Sequence, residues 1–271
     1  FDPVHGTLKT ADGKDLKFEP PQGDELPAQG FAKGEEGLVP PADNGDGLTV
    51  EVSPTSERLQ LLQPFPRWDG KDFAKLPLLI KTKGKTTTDH ISPAGPWLKF
   101  RGHLDKISDN MFLGANSAFS SEPGKGTDVL AGESGLTIAQ IARRYKAKGI
   151  GSVVVGDENY GEGSSREHAA MSPRFLGVQV IITKSFARIH ETNLKKQGIL
   201  PLTFADPKDY DKIEQQDRIS VTGLSSLAPG KPVSVTIHKA DGKDITIQTN
   251  HSFTDQQIGW FKAGSALNAL N

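Results

Sequence analysis

Two consecutive strand–loop–helix units constrain the fold of this chain more than any other feature of its sequence. In the first unit, the β-branched run Ile150–Val155 predicts a strand, and a glycine-rich loop then leads into a helix from Ser164. In the second unit, Val178–Thr183 predicts a strand, and a helix opens at Ser185 and stops at Gly198. Because a crossover connection joins them, the two strands should run parallel in one sheet. The sequence therefore predicts an α/β body.

Further elements are predicted on both sides of these units. The expected strands are Leu76–Ile80, Arg218–Val221, Val233–His238 and Ile245–Thr249, and the expected helices are Leu136–Lys148 and a final helix that Thr254 caps and Gly264 ends.

The composition of residues 1–66 predicts an extended acidic linker. Their first sixty positions contain seven prolines, eight glycines and twelve acidic against five basic residues, without a sustained hydrophobic period. The local order expected there is a hairpin from Leu8 to Phe18, turning at Ala11-Asp12-Gly13. Such a segment cannot bury enough apolar surface to fold alone, so we expect it to lie along another body. Residues 67–271 are then the folded domain.

Composition excludes several classes of function. The sequence contains no cysteine, which excludes disulfides, thiolate catalysis, zinc–thiolate sites and an iron–sulfur cluster held by this chain alone. The seven histidines show no metal-binding spacing, so we expect no bound metal. A formal net charge of −1 gives no support for nucleic-acid binding, and no apolar run approaches the roughly 20 residues of a membrane span. We expect neither nucleic acid nor a membrane as a partner.

The run Gly161–His168 has the densest concentration of reactive side chains. Its glycines allow a ligand close to the backbone, and a helix N-terminus offers free N–H groups. Arg166 adds a planar donor fork that matches a carboxylate. Ser164 could bind an anion or, if these charges made its proton acidic, serve as a base. Ser164 and Glu167 also have capping-box spacing, which needs no ligand, and spacing alone leaves both interpretations open.

A second cluster follows the first predicted strand. It contains Asp89-His90, a candidate acid–base or orienting pair, and then Arg101, a candidate carboxylate clamp. Taken alone, this cluster is better explained as a Pro/Gly loop whose polar side chains bond their own backbone.

A third cluster places Arg188 and His190 near the start of a helix that follows a strand, where α/β folds often bind ligands. A histidine in that position is more often a hydrogen-bonded interior residue than a catalytic one.

Four long runs carry a family resemblance: TTDHIS, AGPWLKFRGHL, GDENYGEGSSREHAA and ITKSFARIHETNLKKQG. They resemble the fourth, swivelling domain of the mitochondrial aconitase family. Shorter matches occur at Ser53–Ser56, Trp68–Asp72, Leu202–Pro207, Ala228–Pro232 and Gly264–Asn268, so the resemblance covers essentially the whole chain. It implies a three-layer swivelling β/β/α domain of α/β class with an interdomain linker before it.

The same resemblance implies roles for five residues. The family interconverts citrate and isocitrate through cis-aconitate by removing and re-adding water. By resemblance, Ser164 is the base that removes a proton next to a carboxylate, Ser165 adds a hydrogen bond near the substrate, and Arg166 holds a carboxylate. Arg101 would clamp another carboxylate, and Asp89 would pair with a catalytic histidine from another domain.

Partners and location also follow from the resemblance. It implies a tricarboxylate substrate, a [4Fe–4S] cluster bound by domains 1–3 of the full-length enzyme and not by this chain, and the mitochondrial matrix. We expect the chain to be the C-terminal part of such a hydro-lyase and to be inactive alone. The alternatives are a separately encoded small subunit of an isopropylmalate-isomerase-like enzyme, which the long linker argues against, and a non-catalytic binding module.

Overall fold

A computed structural model describes residues 2, 4–20, 22–23, 30 and 39–270. The chain divides into two compact units, Phe1–Glu51 and Val52–Asn271. In the first unit, strands β1 (Thr7–Lys9) and β2 (Asp15–Lys17) pair antiparallel, which confirms the predicted hairpin. Residues 39–51 contain no helix or strand. The linker boundary at residue 66 stays a prediction.

The second unit contains a mixed set of strands and helices. In chain order these are β3 (Phe73–Lys81), α1 (Thr88–Ile91), α2 (Leu104–Ile107), β4 (Lys125–Asp128), β5 (Glu133–Thr137), α3 (Ile138–Ala147), β6 (Ser152–Gly156), α4 (His168–Phe175), β7 (Val178–Thr183), α5 (Arg188–Lys196), β8 (Leu200–Phe204), β9 (Arg218–Thr222), β10 (Val233–His238), β11 (Asp244–Asn250) and α6 (Asp255–Ala263).

Seven of these strands close into a barrel in the order β10-β11-β8-β7-β6-β3-β9. The pairs β3–β6, β6–β7 and β7–β8 are parallel, and the β6–β7 pair confirms the parallel pairing that the two strand–loop–helix units predict. The remaining pairs around the barrel are antiparallel. Helices α3, α4 and α5 pack on the outer face of the parallel strands, so the predicted α/β fold class is confirmed.

Two hydrophobic cores lie on opposite faces of the parallel strands. On β6, Val153 and Val155 belong to the core inside the barrel, whereas Val154 belongs to the core under helices α3, α4 and α5. Successive side chains of a strand point to opposite faces, so a strand buried on both sides must be apolar at every position. This requirement explains the uninterrupted apolar runs in the sequence.

Capping residues lie at or near the predicted ends of helices α3 and α6. Thr254 forms a capping box with Gln257 at the start of α6, and Gly264 ends that helix in the left-handed conformation with φ +91°. Thr137 caps α3 in the same way through Gln140. Within the described residues, no helix has both the length and the apolar character that crossing a bilayer requires.

Both helices of the strand–loop–helix units begin later than predicted. Helix α4 begins at His168 instead of Ser164, and α5 begins at Arg188 instead of Ser185. The Ser185 hydroxyl accepts a hydrogen bond from the Asn159 N–H at 2.8 Å, so it holds a neighbouring loop and caps no helix. Each helix is therefore preceded by a few residues of irregular chain at the end of the sheet.

Candidate active site

The three clusters of reactive side chains lie together at the carboxyl ends of β3, β6 and β7. The Gly161 N–H donates to the Thr86 carbonyl at 2.7 Å, and the Ala187 N–H donates to the Tyr160 carbonyl at 2.9 Å. These bonds fasten the loop after β6 to the loops on both sides of it. The carboxyl edge of parallel strands is where α/β folds bind ligands, so the meeting point is a candidate active site.

Gly161 has to be glycine in this arrangement. Its φ is +84°, a left-handed conformation, and an added Cβ would lie 2.1 Å from Cδ2 of His190. The close contact lets the loop carrying the serines rest directly on the imidazole ring.

We expect Gly161→Ala to destabilise the fold more than the same change at Gly242. Both glycines have φ +84°, but nothing lies within 4 Å of a Cβ at Gly242. Each alanine carries the left-handed penalty of about 1–2 kcal/mol, and overpacking adds about 1–3 kcal/mol at Gly161 alone. Urea unfolding of both variants measures the difference, and equal losses would contradict the contact with His190.

Ser164 and Ser165 lie exposed in the loop before α4. The N-cap of α4 is Glu167, which makes no side-chain capping bond. The capping-box interpretation of Ser164 and Glu167 is therefore wrong, because the helix starts at His168. Among the described residues the Ser164 hydroxyl has no hydrogen-bond partner, although its carbonyl accepts the Arg166 N–H at 2.8 Å. The hydroxyl is left free for a ligand.

Arg166 connects this loop to α1. Its Nη1 lies 2.5 Å from Oδ1 of Asp89 and donates to the Ser92 carbonyl at 3.2 Å. The Asp89 side chain is 60% exposed, and such surface ion pairs contribute only about 0–1 kcal/mol. The pair orients the guanidinium, and a carboxylate ligand can compete with Asp89 for it. Pairing of Asp89 with a histidine of another domain stays a prediction.

His90 does not act together with Asp89. Its Nδ1 accepts the Thr87 N–H at 3.1 Å, and the Thr87 hydroxyl accepts the His90 N–H at 3.2 Å, which is a capping box. The ring therefore holds the start of α1. The role of His90 is therefore structural, which agrees with the interpretation of the second cluster as a Pro/Gly loop.

Arg101 reaches the site through its backbone. Its carbonyl lies 2.9 Å from Nε2 of His168, the first residue of α4. The Arg101 side chain is exposed and forms no hydrogen bond or ion pair with the described part of the chain. The structure thus brings Arg101 to the helix that follows the serine loop without joining its guanidinium to Ser164.

A cleft of about 320 Å³ opens beside the two serines. His190 lines it, is only 1% exposed, and has no hydrogen-bond partner at either ring nitrogen within the described residues. Burial lowers the pKa of His190 to about 4. The predicted interior position of His190 is confirmed, but the prediction that its ring is hydrogen-bonded is wrong.

Two lining residues were not candidates from the sequence. Asn159 has φ +50°, a conformation that asparagine adopts more readily than most residues, and its position before Tyr160-Gly161 was the available signal. Thr88 has a buried hydroxyl without a partner in the described chain, and no local pattern marks it. In the same described part, no group of three or more histidine, cysteine or acidic side chains is placed to hold a metal ion.

A known protein family matches the part of the chain that contains the candidate site. Residues 76–207 match the family described as the aconitase C-terminal domain. This region is an aconitase C-terminal domain. The matched range contains Asp89, Arg101 and the serine loop, so the candidate site lies wholly inside it.

The whole length of the chain is similar to part of the mitochondrial aconitate hydratases. It is 56% identical over 270 residues to the protein of Gracilaria gracilis and 56% identical over 271 residues to that of Saccharomyces cerevisiae. These matches cover 100% of this chain but 34% and 35% of the relatives, so the chain spans about a third of their length. A solved 3-isopropylmalate dehydratase from Methanocaldococcus jannaschii aligns with a TM-score of 0.48 at 23% identity, covering 72% of this chain and 92% of that one.

Proposed function

We propose that the chain supplies the base and the carboxylate-binding groups of an aconitate hydratase, the hydro-lyase that isomerises citrate to isocitrate through cis-aconitate. The observation that carries the proposal is the free hydroxyl of Ser164 in the short loop that also carries Arg166, within one aconitase C-terminal domain. The 56% identity to aconitate hydratases supports the choice of reaction.

The chemistry requires both kinds of group. A proton next to a carboxylate is weakly acidic, and an isolated serine is a poor base. Arg166 and the N-terminus of α4 provide positive charge that stabilises a Ser164 alkoxide and the charge developing on the substrate. Ser164 takes the proton and can return it in the hydration step, while Ser165 donates a hydrogen bond and Arg101 holds a second carboxylate.

The rest of the enzyme is proposed to hold the metal. This chain has no cysteine, so its residues do not fit a [4Fe–4S] cluster, and the cluster belongs to domains 1–3. We infer that the chain works with those domains on a tricarboxylate in the mitochondrial matrix and is inactive without them. The mitochondrial names of the relatives support this location.

A chimera tests the proposal. The chain replaces the matching third of the Saccharomyces cerevisiae aconitate hydratase, and hydration of cis-aconitate is followed by absorbance. We expect an active chimera, and a loss of about 10²–10³ in kcat/KM when Arg166→Gln removes one charge-stabilising donor. Arg67→Gln, an exposed arginine ahead of β3, is the matched control and should have no effect.

Two outcomes would count against the proposal. A folded chimera that carries its cluster but turns over no cis-aconitate contradicts it. Turnover of an isopropylmalate in place of citrate favours the small-subunit alternative.

A further inference from the structure

The two proposed arginine clamps are held in different ways. Asp89 and the Ser92 carbonyl orient the guanidinium of Arg166, whereas the Arg101 guanidinium has no partner in the described part of the chain. A free arginine side chain loses rotamer freedom when it binds a ligand. The placement of Arg101 therefore depends on how firmly its backbone is held.

The backbone just after Arg101 is fixed against an earlier part of the chain. The Gln60 N–H donates to the Gly102 carbonyl at 3.0 Å, and the Gln60 side-chain oxygen accepts the Asp105 N–H at 2.9 Å. A Cβ at Gly102 would lie 2.6 Å from the Arg58 carbonyl oxygen, so only glycine allows this approach. These contacts place Arg101 relative to residues 58–60, but not relative to the serine loop.

His168 supplies a connection between Arg101 and the serine loop. It is half-buried at the first position of α4, and its Nε2 lies 2.9 Å from the Arg101 carbonyl oxygen. Because a carbonyl oxygen can only accept, Nε2 must carry a proton in this bond. Ser164 and Arg166 precede His168 by four and two residues. The bond therefore joins the Arg101 backbone to the end of the helix that the serine loop enters.

We propose that His168 is a positioning residue, which holds Arg101 in place relative to Ser164 and Arg166 through the Arg101 backbone carbonyl. The inference rests on the proposed function, in which Arg101 and Arg166 bind carboxylates of one substrate. Two clamps bind one molecule well only if the fold already holds them at the right separation. Loss of the bond should therefore weaken substrate binding and leave proton removal by Ser164 intact.

NMR of the whole 271-residue chain tests the hydrogen bond. The Gly102 amide shares a peptide unit with the Arg101 carbonyl, so its signal reports whether that carbonyl is bonded. His168→Gln keeps an N–H close to the position of Nε2, whereas the shorter His168→Asn does not reach it. We expect the Gly102 signal to move in His168→Asn and to stay near its wild-type position in His168→Gln. The ring nitrogen shifts of the wild type should place a proton on Nε2.

Kinetics on the Saccharomyces cerevisiae chimera test the positioning role. His168→Asn should raise KM for cis-aconitate about five- to tenfold, the effect of one hydrogen bond, and change kcat little. His168→Gln should restore KM. The matched control is His238→Asn on β10, which removes a histidine bonded to Ser220 and Asp244 and should leave both constants unchanged. When Arg101→Gln is already present, His168→Asn should raise KM no further, because it acts through Arg101.

The outcomes separate this inference from the proposed function. An unchanged KM in a folded His168→Asn variant overturns the positioning role and leaves the proposed function standing. An equal rise in KM with and without Arg101→Gln shows a general structural effect and overturns it as well. A wild-type ring with its proton on Nδ1 alone removes the bond and the inference with it. If Arg101→Gln itself leaves KM unchanged, Arg101 binds no carboxylate, which counts against both proposals.

Discussion

Ser164→Ala should reduce kcat of the assembled enzyme by about 10²–10⁴, the range typical for loss of a general base. Substrate affinity should change little, because the arginines that we propose to hold the carboxylates remain. Stability should also stay within about 0.5 kcal/mol, because the Ser164 hydroxyl has no hydrogen-bond partner among the described residues. Kinetics on the Saccharomyces cerevisiae chimera and urea unfolding of the chain measure these quantities.

Ser165→Ala is the matched control for that substitution. Ser165 is equally exposed and adjacent in sequence, but its proposed role is one hydrogen bond, worth about 1 kcal/mol or a five- to tenfold loss. If both alanines lowered kcat equally, Ser164 would have no special part in proton removal. If Ser164→Ala unfolded the chain, the hydroxyl would have a structural role that the loop geometry does not give it.

The barrel strands show what sequence patterns reveal about this fold. Strands β7 and β10 have the predicted boundaries because β-branched runs bury one or both faces. Strand β8 was not predicted, although it pairs with both β7 and β11. It contains Pro201, which lacks an N–H and normally argues against an interior strand. Its place depends on its neighbours in the barrel, which local pattern does not describe.

The candidate site shows a different limit. Residue types and the family resemblance identified Asp89, Arg101 and the run Ser164–Arg166, but spacing could not decide between capping and ligand binding. That decision depended on where α4 begins, and on contacts between loops far apart in sequence. The Arg166–Asp89 ion pair joins the loop before α4 to helix α1 and leaves no periodic signal in the sequence. The roles of these residues remain proposals, whereas their meeting at one edge of the sheet is a structural result.

His190 should make the stability of the chain fall as the pH decreases below about 6.5. The pKa of an unfolded histidine is ~6.5, and burial lowers the pKa of His190 in the folded chain to about 4. Between these values the unfolded state binds a proton that the folded state does not, so the free energy of unfolding decreases with falling pH. The contribution is complete above pH 6.5 and is lost down to pH ~4, about 3 kcal/mol in all.

Urea unfolding of the wild type, His190→Leu and His190→Gln at pH 7 and pH 4.5 isolates this contribution. Neither replacement titrates, so the wild type should lose about 2–3 kcal/mol more than either variant between the two pH values. The carboxylates of the chain titrate in all three proteins, and their effect cancels in the comparison. Parallel losses would mean that the imidazole finds hydrogen-bond partners in the folded chain.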